Sequence, residues 1–434
     1  MNPTKGLPLL NQVLYLLFFT GLFCSFRALS SISIALILVA GIIKNKLESG
    51  NFFHRNMKNR FLAGCILLYL FYLLSLYYTH NLQEGWSNIG LKTGLLFTPL
   101  AVCCSNYINA DSRKKLFPLY CILLALVSLY CLGSAFSHYK HTGDPSIFYY
   151  HKLVSPFKQH AVYFSVYVFI ALVFLFENIQ KKDFIFNQAF HICLAIFFSV
   201  LLFLLLSKLV IVFYLLYLIY FFIKIIRKST VTRWVSIGSF ILFITVSSLV
   251  LTIHNPVSER FNEIMKGDIK IVKQEIFSPA DYFNGLQFRV LQWKFVTQIL
   301  NENHRWWTGV SPGDARLFLD QKYISTKMYT GDPVRGDRGF LGYNTHNQFL
   351  ETLLQTGITG LFILLVICAA LLQMAWQKKS TMASFIIMLL LAWLFSESAF
   401  ETQYGILIFT FFPLFICLDE NRVFPGTKKD LPFS

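Results

Sequence analysis

Residues 187–226 read NQAFHICLAIFFSVLLFLLLSKLVIVFYLLYLIYFFIKII, and this stretch decides the fold class. It holds two apolar runs, 187–206 and 209–226, separated by Ser207-Lys208. Each is long enough to form one membrane-spanning helix of about 20 residues. Further apolar runs lie at 7–26, 28–43, 61–78, 88–104, 116–137, 159–176, 234–253, 353–375, 381–396 and 402–418, giving twelve in all. Twelve spans would occupy about 240 residues, and 55% of the 434 residues are hydrophobic. Only 14% are charged, against about 25% in a soluble domain, which excludes a cytosolic globular protein.

The expected fold is therefore all-α: a polytopic transmembrane helix bundle with one large, partly helical external loop between the ninth and tenth spans. The chain divides into spans one to nine (1–253), the external loop (254–345), spans ten to twelve (346–418) and a tail (419–434). The first run is followed at once by another and lacks a small-residue cleavage site, so it reads as a retained span.

Every second connection is basic: five Lys or Arg in 44–60, three in 113–115, two at 181–182, four in 224–233 and two at 378–379. The alternate connections 79–87 and 396–401 have none. By the positive-inside rule both termini are cytoplasmic and 254–345 is external. The formal charge of +16 is then mostly a topology signal, and it gives no support for nucleic-acid binding.

The nine cysteines all fall in or beside apolar runs and form no CxxC pair, so neither a disulfide framework nor a zinc site is indicated. The external loop lacks a DxD, and the chain lacks HExxH and GxxxxGK[ST] motifs. The usual signals of a metal-dependent transferase of the DxD type, a zincin and a P-loop ATPase are thus missing.

Within the external loop a helix is predicted over 282–300. Phe288, Leu291, Phe295 and Ile299 recur there at helical spacing, and Arg289, Trp293 and Val296 share the neighbouring stripe. Gly309, Pro312 and Gly313 mark turns, and 331–342 is a glycine-rich loop. Thr345-His346-Asn347-Gln348 reads as a capping box with Thr345 as N-cap. That places His346 in the first turn of a helix, where the dipole favours neutral imidazole and so keeps a base available. His346 could take a proton from a hydroxyl, or it could merely cap the helix. Arg289 could bind a phosphate with its forked guanidinium, or stack on Trp293. Lys208, between two spans, could be an interfacial anchor or a second phosphate-binding charge. His160, Glu397 and Glu401 complete the external polar set, the two carboxylates being expected to stay solvated or cap loops. His138, His141 and His151 have no ligand spacing.

In order and spacing these pieces resemble the O-antigen ligase and O-antigen polymerase superfamily of bacterial envelope glycosyltransferases. The resemblance covers roughly 200–415. It rests on one long external loop before the last three spans, on Arg289 four residues before Trp293, and on Trp307, Gly309 and Gly313. It continues through Thr345-His346-Asn347, Phe349-Leu350-Glu351, Gly357, Gly360 and the ending 397–405. It implies a GT-C-like membrane enzyme that binds the diphosphate of a polyprenyl-linked glycan with two external arginines and activates an acceptor hydroxyl with a histidine, needing no metal or other cofactor. By position, Arg289 matches the loop arginine and His346 the base. Ser207-Lys208 stands where the family has a Ser-Arg pair, which keeps the charge but loses the fork. Lys208, Trp293, Asn347 and His160 are the candidate substrate-binding residues.

The resemblance also implies partners: a polyprenyl diphosphate glycan donor, a lipid A-core or other glycan acceptor, and membrane lipids, at the periplasmic face of the bacterial inner membrane. A polymerase or a protein O-oligosaccharyltransferase of the same superfamily is an alternative. Rivals from other classes are a flippase or transporter for lipid-linked sugars, which would expect ionisable residues near the midplane, and a non-catalytic assembly subunit.

Overall fold

The computed structural model describes residues 7–51, 59–105, 107–181, 187–226, 269–332, 334 and 336–418. The ninth apolar run, the start of the external segment and the C-terminal tail lie outside the described residues. Among those described, all regular structure is helical, and six helices are long and apolar enough to cross a membrane. Four shorter apolar helices accompany them. The chain is a multi-pass membrane protein.

The bundle is formed by α1 (Leu7–Phe23), α2 (Arg27–Ser49), α3 (Arg60–Leu74), α4 (Leu82–Lys92), α5 (Gly94–Ser105) and α6 (Ala110–Thr142). After the short α7 (Tyr150–Leu153) come α8 (Ala161–Lys181), α9 (Gln188–Leu204) and α10 (Lys208–Ile226). The segment 269–345 contributes α11 (Gly285–Glu302) and α12 (Ala315–Ser325). The chain closes with α13 (Gln348–Lys378), α14 (Thr381–Ser396) and α15 (Gln403–Cys417). Polar residues start these apolar helices by accepting their free amides: Asn59 from Phe61, Asn187 from Phe190, Ser380 from Ala383 and Thr402 from Gly405. The core holds α8, buried through most of its length, against an aromatic cluster that includes Phe19, Phe23, Tyr120, Phe411 and Phe412. Such rings fill volume between helices that hydrophobicity alone does not hold together in lipid.

Helix ends alternate along the bundle. One end carries 269–345; the other carries the basic last turns of α2, α8, α10 and α13. Two expected spans are not simple helices. The fourth run breaks at Thr93 into α4 and α5 because Lys92, wholly buried, turns to Glu401 at 2.9 Å and sits 5.0 Å from the Tyr72 ring. A buried cation in an apolar stretch demands such partners.

The second break is in α13, at Gly357 (φ +68°). The turn 306–311 docks onto it: Val310 N–H donates to the Leu354 carbonyl at 2.8 Å and Ser311 N–H to that of Gln355 at 3.0 Å. In return Ile358 N–H donates to the Trp306 carbonyl at 2.8 Å. The approach is so close that a Cβ on Gly309 would lie 2.5 Å from the Gln355 carbonyl carbon, and one on Gly357 2.3 Å from that of Trp307. Backbone freed by a helix break inside a membrane protein must find such partners, so the two glycines serve one joint.

Candidate active site

The predicted helix is present as α11, begun by a capping box in which Asn284 accepts from Gln287 N–H and the Gln287 side chain accepts from Asn284 N–H. Its predicted stripe, Phe288, Leu291, Phe295 and Ile299, is buried, as is Val296. Those side chains pack on α12 and on Leu353 and Leu354 of α13, so α11 leans on the bundle. One face of α11 then organises the loop that leads into α13. Gln292 donates to the Asn344 carbonyl and, at 3.2 Å, to the Tyr323 hydroxyl. Phe288 packs edge-on against Tyr343, and the His346 ring lies 6.5 Å from Phe288 and 5.8 Å from Tyr343.

The expected capping box at 345–348 is not formed. The N-cap of α13 is Asn347, whose side chain accepts from Phe349 and Leu350 N–H at 2.9 and 3.2 Å. Thr345 is drawn away by Glu351, whose carboxylate takes its N–H at 3.0 Å and its hydroxyl at 2.8 Å. Gln348 accepts from Phe400 N–H and donates to Thr352. His346 thus precedes the helix, with φ +47°, instead of lying in its first turn. The left-handed conformation is costly for a residue with a Cβ, and Asn344 Oδ1 helps hold it by accepting His346 N–H at 3.1 Å.

The structure gathers three of the candidate residues around Glu397, the C-cap of α14. His346 Nδ1 is 3.6 Å from one carboxylate oxygen and Arg289 Nη2 is 3.9 Å from the other. Arg289 also donates to the Ser396 carbonyl at 3.1 Å and to that of Gly285 at 3.2 Å. Its guanidinium is therefore turned to the end of α14. His160, just before α8, lies edge-on to His151 (4.5 Å) and tilted against Tyr163 (4.8 Å) and feels the Glu397 charge.

Burial alone would raise the Glu397 carboxyl, but the neighbouring His346 imidazole, His160 and the Arg289 guanidinium together hold it below the usual carboxylate range. Burial lowers the His160 imidazole, with Glu397 opposing. Arg289 Nε, His346 Nδ1 and His160 Nδ1 are all buried without a hydrogen-bond partner. Such a concentration of unsatisfied polar atoms marks a functional region in a native fold.

Glu397 itself was read from sequence as solvated or loop-capping; its side chain is only 15% exposed and sits at the centre of the cluster. Four residues on, Glu401 is also buried. It accepts from Lys92 and from Gln355 at 2.9 Å, and Gln355 donates to Glu351 at 2.7 Å. Sequence gave one hint of this, two carboxylates four apart beside a span, but no hint of their partners. Asn347 is occupied as a helix cap. Trp293 is partly exposed, one turn from Arg289. Lys208 is the first residue of α10, half-buried. The Tyr220 hydroxyl meets that of Thr381 at 2.9 Å. Twelve residues from that contact toward the loop end, about 18 Å along each helix, lie Lys208 and Trp393, the latter within a turn of Ser396.

Residues 193–365 match the family model for O-antigen ligase. The resemblance to the O-antigen ligase and polymerase superfamily is borne out over that segment, which contains Arg289, His346 and both glycines of the joint. No curated protein matches the chain. The matched segment stops before Glu397, so the carboxylate of the cluster comes from a helix beyond it.

Proposed function

We propose that this protein is an O-antigen ligase-like glycosyltransferase that moves a glycan from a polyprenyl diphosphate carrier to an acceptor hydroxyl, in the first instance on a lipid A-core oligosaccharide. The reaction occurs at the periplasmic face of the bacterial inner membrane, where 269–345 caps the bundle. The observation that carries the reading is the cluster itself: a guanidinium and an imidazole, both from the segment that matches the family, set beside opposite oxygens of one buried carboxylate from beyond it, with polar atoms unpaired.

In this reading Glu397 holds His346 through Nδ1 and leaves Nε2 toward the acceptor. Nε2 takes the acceptor proton as the hydroxyl oxygen attacks the anomeric carbon. The bond from that carbon to the phosphate oxygen breaks, and the diphosphate departs with the electron pair. Arg289 stabilises the growing negative charge, assisted by Lys208 as a point charge. Single displacement inverts the anomeric centre, and no metal is required. The donor supplies the bond energy, which agrees with the lack of a nucleotide-binding motif.

The test of the acceptor is to offer the reconstituted protein a radiolabelled polyprenyl diphosphate glycan with lipid A-core, a second lipid-linked repeat, or a hydroxyl-bearing protein. Label is expected in lipid A-core. Label in either of the others instead would overturn the ligase assignment.

A further inference from the structure

A cavity of about 440 Å³ lies between α2, the α4–α5 break and α15. Its size falls within the range of small-molecule sites, and none of its lining residues belongs to the Glu397 cluster. The lining is graded in polarity. Arg27, Ser31 and Gln403 stand at the loop end, where Gln403 donates to Ser31 Oγ at 2.7 Å and to the Arg27 carbonyl at 3.2 Å. Ile34, Phe97 and Leu407 form the apolar part. Ile34 is about 10 Å of helix below Arg27.

One charged group in this lining lacks a counter-ion: among the described residues Arg27 makes no ion pair with a carboxylate. A cation at the edge of an apolar slot without a counter-charge is unfavourable. A free sugar would leave the apolar part uncovered, and a neutral lipid would leave Arg27 uncompensated.

We propose that this cavity binds one anionic lipid. The phosphate meets Arg27 and Ser31, and one hydrocarbon chain runs along Ile34, Phe97 and Leu407. The site is separate from the transfer chemistry and does not depend on it.

The experiment is native mass spectrometry of the full chain in a non-ionic detergent, titrated with phosphatidylglycerol or with phosphatidylcholine of the same chains. The wild type should retain one phosphatidylglycerol with an affinity about tenfold above that for phosphatidylcholine, the worth of one charge-assisted contact. Arg27→Gln, at an exposed helix end where folding is not at stake, should remove that preference. Ala35→Trp, which fills the cavity, should lower retention of both lipids. Equal retention of the two lipids by the wild type, an undiminished preference in Arg27→Gln, or undiminished retention in Ala35→Trp would overturn the proposal.

Discussion

Glu397 and Glu401 sit four residues apart, yet their surroundings differ in kind. Around Glu401 the donors are close: Lys92 and Gln355 at 2.9 Å, then Glu351 and Thr345, with Gln355 Oε1 left without a partner. Around Glu397 the His346 imidazole and the Arg289 guanidinium stand off at 3.6 and 3.9 Å, and three polar atoms have no hydrogen-bond partner. The first arrangement resembles a closely bonded structural network, which rigidifies. The second resembles a site whose hydrogen bonds tighten only with substrate bound. The paired network also holds the loop of the unpaired one, because Glu351 fixes Thr345, the residue before His346.

The contrast can be broken most severely at His346. His346→Ala is expected to lower transfer by about 10²- to 10⁴-fold, the usual contribution of a general base, with an unchanged melting temperature. Arg289→Ala should cost about 10²-fold in turnover, again with the fold intact. On the paired side the order of effects reverses. Lys92→Met leaves Glu401 buried without its cation and should destabilise the protein by about 3–5 kcal/mol, read as a large drop in melting temperature, whereas Lys92→Met with Glu401→Leu should recover much of it.

Glu397→Gln sharpens the comparison through pH. The Glu397 carboxyl is held below its usual range in the folded state, so its stabilising charge is fully present above the unfolded-state pKa and is lost as pH falls through the depressed folded value. The stability difference between wild type and Glu397→Gln should therefore persist as pH falls to about 5 and shrink below about 4. A difference that shrank near neutral pH would refute the assignment. The smallest effect is expected at Lys208: Lys208→Arg should keep turnover within about threefold, and Lys208→Ala should lose about tenfold if the charge meets the diphosphate.

Much of this was legible in the sequence because it is periodic or local. The apolar runs, the buried stripe of α11, and Arg289 one residue from that stripe all follow from spacing. What spacing could not reveal were pairings across the chain: Lys92 with Glu401, 309 positions apart, and Glu397 with Arg289 and His346. The N-cap of α13 shows the same limit locally. Thr345 and Asn347 are both good caps, and Gln348 three residues after Thr345 favours Thr345. Glu351 decides the matter by bonding Thr345 from within the helix, which shifts His346 out of the first turn and into a strained backbone conformation. The break at Thr93 was hidden for a related reason: Lys92 looks like an interruption in an apolar run until its carboxylate is found.

The central claim, that His346 beside Glu397 is the base for transfer from a lipid diphosphate, is tested most directly by one assay. Wild type and His346→Ala, reconstituted in liposomes with polyprenyl diphosphate glycan and lipid A-core in the presence of EDTA, are compared for polyprenyl diphosphate released and joined glycan formed. Equal amounts of both products are predicted from the wild type and almost none from a fully folded His346→Ala. Turnover by His346→Ala close to wild type would contradict the account.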